Sequence, residues 1–218
     1  MKTDLIIIGA GGHAKVLIDC LLQQSAVNII GILDNNPSVH GQSVLGIPVL
    51  GGDEKIANFP TNAVQLVNAV GSIDIPLRRA AVYQHFKALG YQFLSVVHHT
   101  AYVAKTVKLG EGVQIMAGVV LQPDCKLGNN VIINTGASLD HDVQIGDHCH
   151  VAPGVVVSGN VTIAASSHLG ARAVILQGLK IGERCLIAAG AVVIHPITTD
   201  SRVAGVPAKS IKNVITEE

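Results

Sequence analysis

The stretch that decides the fold is INTGASLDHDVQIGDHCHV, residues 133–151. Every sixth position of it is aliphatic, and the members are Ile133, Leu139, Ile145 and Val151. The same spacing holds without insertion from Val97 to Val193. Strand side chains alternate between faces, so two inward positions in six residues indicate a short strand followed by a turn. The repeat therefore predicts a parallel β-helix built from hexapeptides, three to a coil.

The second inward position, four residues after each aliphatic one, is mostly small or β-branched. Cys125, Cys149 and Cys185 occupy it, so we expect them to be small core residues rather than nucleophiles. The chain of 218 residues has no Trp, three Phe and three Tyr. This scarcity of rings fits a narrow interior.

Composition excludes several classes of protein. The 15 Lys and Arg balance the 15 Asp and Glu, so no nucleic-acid partner and no anionic membrane are expected. No apolar stretch approaches the roughly 18 residues of a membrane span, and the apolar run in MKTDLIIIGA is too short for a signal peptide. Four cysteines without zinc-type pairing suit a reducing compartment. We therefore expect a cytoplasmic protein with no membrane span.

The N-terminal part has a different pattern, in which strands alternate with helices. The predicted strands are Asp4–Ile8, Asn28–Leu33 and Val64–Val70, and the predicted helices are Ala14–Gln24 and Pro76–Leu89. This order predicts a Rossmann-like α/β domain over residues 1–95. The β-helix domain follows at 96–197. Because the six-residue phase is lost after Val193, residues 198–218 are expected to form a C-terminal cap or tail.

A glycine turn joins the first strand to the first helix. Gly9, Gly11 and Ala14 fit the phosphate-binding pattern, and Asp34 closes the second strand, where such folds bind ribose hydroxyls. The domain contains one mononucleotide-binding half, so a single nucleoside diphosphate fits better than NAD. His13 either donates to a phosphate or sugar or is a solvated residue at the start of the helix.

The segment 140–150 is unusually rich in acids and histidines. His141 beside Asp142 suits acid–base chemistry, because a carboxylate fixes the tautomer of the imidazole and raises its basicity. The alternative is an exposed polar turn. The predicted coils form a three-sided column, which we name the prism. The repeat places His141, His148 and His150 outside it. Because His141 and His150 lie on different faces, they could share a metal ion only across a subunit interface. The remaining histidines are interpreted as surface or linker residues, and they are His40, His85, His98, His99, His168 and His195.

Four motifs together resemble the NeuD/PglD type of sugar acyltransferases. They are IGAGGH at 8–13, LDHD at 139–142, HCHVAPG at 148–154 and VAGVPAK at 203–209. The resemblance implies a left-handed β-helix and a homotrimer. It also implies an acetyl-CoA-dependent N-acetyltransferase that acts, without a metal, on the 4-amino group of a UDP- or GDP-linked amino-dideoxy sugar.

The resemblance also implies a role for each site residue. His141 would be the general base, and Asp142 would orient it, although the family often has Glu at that position. His150 would contact the thioester of acetyl-CoA. The residues implied for the nucleotide sugar are Gly11, Gly12, His13, Asp34, Asn35 and Gly71. Those implied for the pantetheine cleft are Gly159, Gly170, Ala171, Ala188 and Ala189.

Three other functions stay open. The acceptor could be a hydroxyl, as in a sialic acid or sugar O-acetyltransferase. The histidine-rich segment could serve a zinc enzyme of the γ-carbonic anhydrase kind, which would need three histidines to converge across an interface and would leave the N-terminal domain without a role. The chain could also be a non-catalytic scaffold that senses nucleotides.

Overall fold

The structure, a computed structural model, describes residues 2–211. The chain forms two compact units. The first comprises the chain up to Gly71 together with Leu77–Val97. The second comprises the short segment Ser72–Pro76 and the chain from His98 onward.

The first unit is built on a mainly parallel sheet. Its strands are β1 (Thr3–Ile8), β2 (Val27–Leu33), β3 (Ser43–Val44), β4 (Ile47–Gly51) and β5 (Gln65–Asn68), and a short strand, β6 (Val96–Val97), lies near its end. The sheet order is β3–β4–β2–β1–β5, in which only β3 is antiparallel to its neighbour. β1 lies between β2 and β5, and its residues Leu5 to Ile8 are buried. The carboxyl ends of β1, β2 and β5 therefore meet at one edge.

Two helices accompany the sheet, α1 (Gly12–Leu22) and α2 (Leu77–Ala88). The buried residues of α1 include Ala14, Leu17, Ile18 and Leu21, spaced three or four apart as an amphipathic helix requires. Both helices were predicted, with bounds that differ by at most two residues. Two 3-10 turns, Pro37–Val39 and Asp53–Asn58, complete the unit.

The sequence did not predict β3, β4 or the two 3-10 turns. β4 is short, contains Pro48 and ends at Gly51, a combination typical of a loop. The predicted third strand, Val64–Val70, is β5 and is shorter than expected, at Gln65–Asn68. β4 forms because it pairs with β2, and the local sequence does not reveal this tertiary pairing.

The second unit is a left-handed parallel β-helix with three faces, each made of short strands from successive coils. The face that we name the valine face contains Tyr102–Val103, Val120–Leu121, Ser138–Leu139, Val156–Val157, Val174–Ile175 and Val192–Val193. The lysine face contains Lys108–Leu109, Lys126–Leu127, Gln144–Ile145, Thr162–Ile163 and Lys180–Ile181. The histidine face contains Gln114–Ile115, Ile132–Ile133, His150–Val151, His168–Leu169, Leu186–Ile187 and Arg202–Ala204.

The prism interior holds the residues that the repeat predicted to point inward. From Val113 to Val193 nearly all of them are buried, including Cys125, Cys149 and Cys185. The earliest coil is less enclosed, because Leu109 keeps 37% of its surface exposed. The hexapeptide phase therefore identified the core correctly.

The β-helix continues past the point where the phase is lost. Ile197 bridges Ile181, and Arg202–Ala204 pairs in parallel with Leu186–Ile187, although the offset between coils falls from 18 residues to 16. Lys209–Ser210 then folds back antiparallel to Arg202–Ala204. Residues 212–218 of the predicted tail lie outside the described residues.

Candidate active site

His141 and Asp142 occupy the corner between the valine face and the lysine face. Asp142 turns the chain there with a left-handed backbone, at φ +62°. Its N–H donates to the carbonyl of Pro123 at 3.1 Å, and the N–H of Asn160 donates to the carbonyl of His141 at 2.9 Å. The corner is thus held by the coils on both sides.

The His141 ring has a defined tautomer. Its Nδ1 lies 2.8 Å from Oδ2 of Asp142, and the ring is 60% exposed. An ionised carboxylate only accepts hydrogen bonds, so Nδ1 carries the proton and Nε2 keeps its lone pair. The hydrogen bond to Asp142, followed by the charge of Asp140, raises the pKa of His141 above its usual value. A solvent-accessible imidazole held in this way is chemically suited to accept a proton.

An open cleft of about 520 Å³ lies beside this ring. Its lining residues are Asp140, His141, Ser158, Gly159, Asn160, Gln177 and Gly178. A Cβ atom on Gly159 would lie only 2.7 Å from Nε2 of His141. The absence of a side chain at Gly159 therefore leaves the space that Nε2 of His141 occupies.

The residues implied for acetyl-CoA fall into two groups. Gly170, Ala171, Ala188 and Ala189 share the corner between the histidine face and the valine face, where a Cβ on Gly170 would lie 2.6 Å from the nitrogen of Ala189. Gly159 lies across the valine face from them, beside His141. Within one copy of the chain, the two groups thus border opposite edges of the same face.

His150 and His168 lie together on the histidine face, and both are buried. His150 points out of the prism as predicted, but it is only 6% exposed. The prediction of His168 as a surface or linker residue is wrong, since it is 5% exposed. Ser72 covers them, with Oγ 2.8 Å from Nδ1 of His150 and 3.3 Å from Nδ1 of His168. Sequence reasoning missed Ser72 because it precedes His150 by 78 positions.

In the first unit, the glycine turn and Gly71 come together around the start of α1. Gly11 caps α1, and a Cβ on Gly11 or Gly12 would meet nothing within 4 Å. A Cβ on Gly71 would lie 3.5 Å from Cβ of His13. Open space above exposed N–H groups at a helix N-terminus favours an anionic ligand.

Asp34 and Asn35 form hydrogen bonds to two neighbouring loops, the glycine turn and the start of the second 3-10 turn. Oδ2 of Asp34 accepts from the N–H of Ala10 at 2.7 Å, which ties the carboxylate to the glycine turn. Asn35 donates from Nδ2 to Asp53 Oδ2 at 2.6 Å, and its Oδ1 accepts from the N–H of Asp53 at 2.8 Å. Asp53 was missed by the sequence analysis because it starts an unpredicted 3-10 turn.

The cysteines of the β-helix are buried inside the prism. Burial raises the pKa of Cys149 to about 12, so it remains a thiol. Across residues 2–211 no three His, Cys, Asp or Glu side chains are grouped as metal ligands would be.

Within the same residues, no helix has the length and apolar character needed to cross a membrane.

Family models match both units. The PglD N-terminal domain matches residues 4–85. The bacterial transferase hexapeptide model (six repeats) matches residues 106–140 and 124–159, and the hexapeptide repeat of succinyl-transferase matches residues 160–194. No curated protein sequence matches the chain.

Solved structures match the chain over nearly its whole length. The acetyltransferase domain of PglB from Neisseria gonorrhoeae FA1090 is 32% identical, with 96% of this chain and 100% of that chain covered and a TM-score of 0.88. PerB from Caulobacter crescentus, in complex with CoA and GDP-perosamine, is 34% identical, with coverages of 96% and 97% and a TM-score of 0.88. WeeI from Acinetobacter baumannii AYE, at 24% identity, coverages of 96% and 100% and a TM-score of 0.86, shares the fold.

Proposed function

The chain belongs to the NeuD/PglD-type family of sugar acyltransferases, and from this premise we propose that it transfers the acetyl group of acetyl-CoA to the 4-amino group of a nucleotide-linked amino-dideoxy sugar. The observation that carries the proposal is the His141–Asp142 pair, whose free nitrogen faces an open cleft. The complex of the similar PerB with CoA and GDP-perosamine supports this choice of donor and acceptor.

The chemistry is direct transfer with His141 as the general base. The neutral amine attacks the carbonyl carbon of the thioester, and Nε2 of His141 takes the proton that the nitrogen loses as the C–N bond forms. The tetrahedral intermediate collapses, the C–S bond breaks, and the proton passes from Nε2 to the departing thiolate. Asp142 holds Nδ1–H throughout and stabilises the imidazolium.

His150 supplies the second function at the reacting centre. The intermediate carries negative charge on the former carbonyl oxygen, and a positioned donor stabilises it, typically by about 3 kcal/mol. We assign this donor role to His150, whose ring is fixed by Ser72 on the histidine face. No cysteine is needed, because the thiols of the prism point inward.

The acceptor is held through its nucleotide by the first unit. The bare N–H groups at Gly11 and Gly12 attract the diphosphate, and Gly71 leaves room next to His13. Asp34 and Asn35, at the end of β2, lie where ribose hydroxyls are bound in folds of this order. A UDP- or GDP-linked sugar suits a site with one mononucleotide-binding half.

The active assembly is a homotrimer in this proposal. His141 with Gly159 and the Gly170–Ala189 corner lie on opposite edges of the valine face, so one copy does not bring them together. That face also leaves apolar side chains exposed, including Tyr102 at 57% and Val156 at 42%. Packing it against a second copy buries this surface and places one copy's base near the next copy's acetyl-CoA cleft.

Turnover of His141→Ala is the direct test. CoA release is measured with acetyl-CoA and a panel of UDP- and GDP-linked 4-amino sugars, with sialic acid as the hydroxyl control. Loss of a general base lowers kcat by about 10²–10⁴-fold, while acetyl-CoA binding by calorimetry persists. His85→Ala, on the helix α2, is the matched control. Turnover by His141→Ala close to that of the unchanged protein removes the base assignment, and acetylation of sialic acid alone favours the O-acetyltransferase.

A further inference from the structure

Arg79 lies in the first turn of α2 and is completely buried, with 0% of its surface exposed. The neighbouring Arg78 is exposed. The other buried residues of α2 are Ala80, Tyr83 and Phe86, which are common on the buried face of a helix. A buried guanidinium is costly unless its N–H groups meet acceptors, so the contacts of Arg79 indicate its task.

Those contacts reach the backbone at the end of β5. Nη1 of Arg79 donates to the carbonyl of Asn68 at 2.7 Å and to the carbonyl of Val70 at 2.9 Å. The side chain of Asn68, which is 2% exposed, completes the arrangement. Its Nδ2 donates to the carbonyl of Arg79 at 3.1 Å, and its Oδ1 accepts from the N–H of Val70 at 3.1 Å.

The same contacts continue the hydrogen bonding along one edge of β5. In a strand, residues two apart direct their backbone groups to the same edge. On this edge the N–H of Leu66 donates to the carbonyl of Gln92, and the carbonyl of Leu66 accepts from the N–H of Leu94, each at 2.9 Å. Asn68 and Val70 follow on that edge. There the guanidinium and the Asn68 amide take the place of a neighbouring strand.

The end of β5 lies beside the glycine turn. A Cβ on Gly9 would lie 3.4 Å from the backbone nitrogen of Val70, and a Cβ on Gly71 would lie 3.5 Å from Cβ of His13. The turn and the end of β5 are thus in close contact. A shift of Val70 and Gly71 would therefore alter the space beside the N–H groups that we propose for the diphosphate.

The guanidinium also brings a positive charge to this end of the sheet. Burial lowers the pKa of Arg79 to about 9, which leaves the group charged at neutral pH. A positive charge at the end of β5 adds to the attraction that the N-terminus of α1 has for an anion. Arg79 therefore supports an anionic ligand at the glycine turn in two ways, through the backbone and through its charge.

We propose that Arg79 is a positioning residue for nucleotide binding, which takes the place of a strand partner at the end of β5 and so holds Val70 and Gly71 beside the glycine turn. The inference rests on the proposed function for its ligand, a nucleoside diphosphate. Its conformational content, the fixed end of β5, does not depend on any ligand.

Calorimetry with UDP and with GDP tests the effect on binding. Arg79→Met should raise the Kd of the diphosphate that the unchanged protein binds by about tenfold, as expected for the loss of hydrogen bonds that fix the site. Arg79→Lys keeps a positive charge and N–H donors, so its Kd should rise by at most about threefold. Arg78→Met, at the exposed neighbour, is the matched control. A Kd of Arg79→Met equal to that of the unchanged protein, or equal weakening in Arg78→Met, would overturn the proposal.

A general loss of structure would affect every ligand, whereas the positioning role affects one. Arg79→Met should therefore bind acetyl-CoA as the unchanged protein does. With saturating nucleotide sugar, its kcat should stay within about twofold while the KM for that sugar rises about tenfold. A fall in kcat with an unchanged KM would contradict the assignment to nucleotide binding.

Hydrogen exchange tests the conformational content without a ligand. The amide of Val70 should exchange at least about tenfold faster in Arg79→Met and in Asn68→Ala, because its acceptor is loosened in the first and removed in the second. The amides of β1 should exchange at unchanged rates. Unchanged exchange at Val70 in both variants would contradict the fixed end of β5. Thermal unfolding identifies any loss of fold, and Asn68→Ala with Arg79→Lys decides the question if Arg79→Met does not fold.

The two readouts separate this proposal from the proposed function. If the unchanged protein binds neither UDP nor GDP, the proposed nucleotide site fails, and hydrogen exchange at Val70 still decides the role of Arg79 in the fold. If the unchanged protein binds a diphosphate and acetylates the sugar while Arg79→Met binds equally well, the positioning role alone fails.

Discussion

Asp142 determines the tautomer of His141 and raises the pKa of its ring. In the proposed mechanism the general base must be neutral to accept a proton, so we expect activity to rise with pH through the pKa of His141. The hydrogen bond to Asp142 raises that pKa. We therefore expect the acid limb of the pH profile to lie above the pH expected for an unperturbed histidine.

Asp142→Asn should move the acid limb to lower pH. The substitution removes the largest cause of the raised pKa of His141, so the base is neutral at lower pH. The plateau value of kcat should fall by about tenfold or more, because an amide can donate to Nδ1 as well as accept from it and no longer holds the ring in one tautomer. The measurement is kcat/KM against pH. Asp140→Asn is the matched control, with a smaller shift in the same direction and a retained plateau. A limb that stays in place in Asp142→Asn would refute the assigned cause.

Gly159→Ala should inactivate the protein without unfolding it. The added Cβ would lie 2.7 Å from Nε2 of His141 and would push the ring away from the cleft. We expect kcat to fall at least about tenfold with little change in Tm, and Ser158→Ala serves as the neighbouring control. Retained activity in Gly159→Ala would contradict this expectation, because it would show that the His141 ring can move aside without loss of function.

The histidines show which features of single residues could be predicted from the sequence. The phase of the repeat predicted that His141 lies outside the prism, because that position depends only on the local six-residue pattern. It could not predict the burial of His150 and His168, because the covering Ser72 comes from a distant segment. Contacts between remote segments carry no periodic signal.

At the scale of elements, glycines at the corners allow successive coils to lie close together. A Cβ on Gly146 would lie 2.6 Å from the backbone nitrogen of Ala165 in the next coil, and backbone cannot step aside as a flexible side chain can. Gly146→Ala should destabilise the β-helix by about 1–3 kcal/mol. Thermal unfolding measures this, with Gly12→Ala, whose Cβ meets nothing within 4 Å, as the control. Equal Tm values for Gly146→Ala and the unchanged protein would contradict it.

Polar groups inside the prism have a structural task that the sequence did not reveal. Sγ of Cys125 donates to the carbonyl of Asp140 at 3.1 Å, and Sγ of Cys149 donates to the carbonyl of Ala164 at 3.1 Å. Oγ of Ser167 donates to the carbonyl of Gly182 at 2.9 Å. The repeat predicted small residues at these positions. The hydrogen bonds depend on the carbonyl geometry of the corners, which only the folded coil defines.

At the scale of the whole molecule, the proposed trimer depends on the valine face. Val156→Lys places a charge in the surface that we propose to be buried between copies, so it should convert trimers to monomers and abolish turnover. Light scattering measures the mass, and Lys126→Glu on the lysine face is the control. A monomeric unchanged protein, or a trimeric Val156→Lys protein, would contradict this arrangement.

The organisation of the molecule followed from sequence where patterns are long and regular. The β-helix was predictable because one six-residue period runs through it. The first unit was predictable in its strand–helix order but not in β3 and β4, which are short and form through tertiary pairing. The final coil was missed because it is shorter by two residues, which breaks the phase but not the strand pairing.

The central claim is that His141 removes a proton from the amine of a nucleotide-linked sugar as the acetyl group moves to it. Its most direct test is mass spectrometry of the product formed from acetyl-CoA and a UDP- or GDP-linked 4-amino sugar, by the unchanged protein and by His141→Ala. We predict one N-acetylated nucleotide sugar per CoA released, and none with His141→Ala. An acetylated hydroxyl group, or the same product at the same rate from His141→Ala, would contradict the claim.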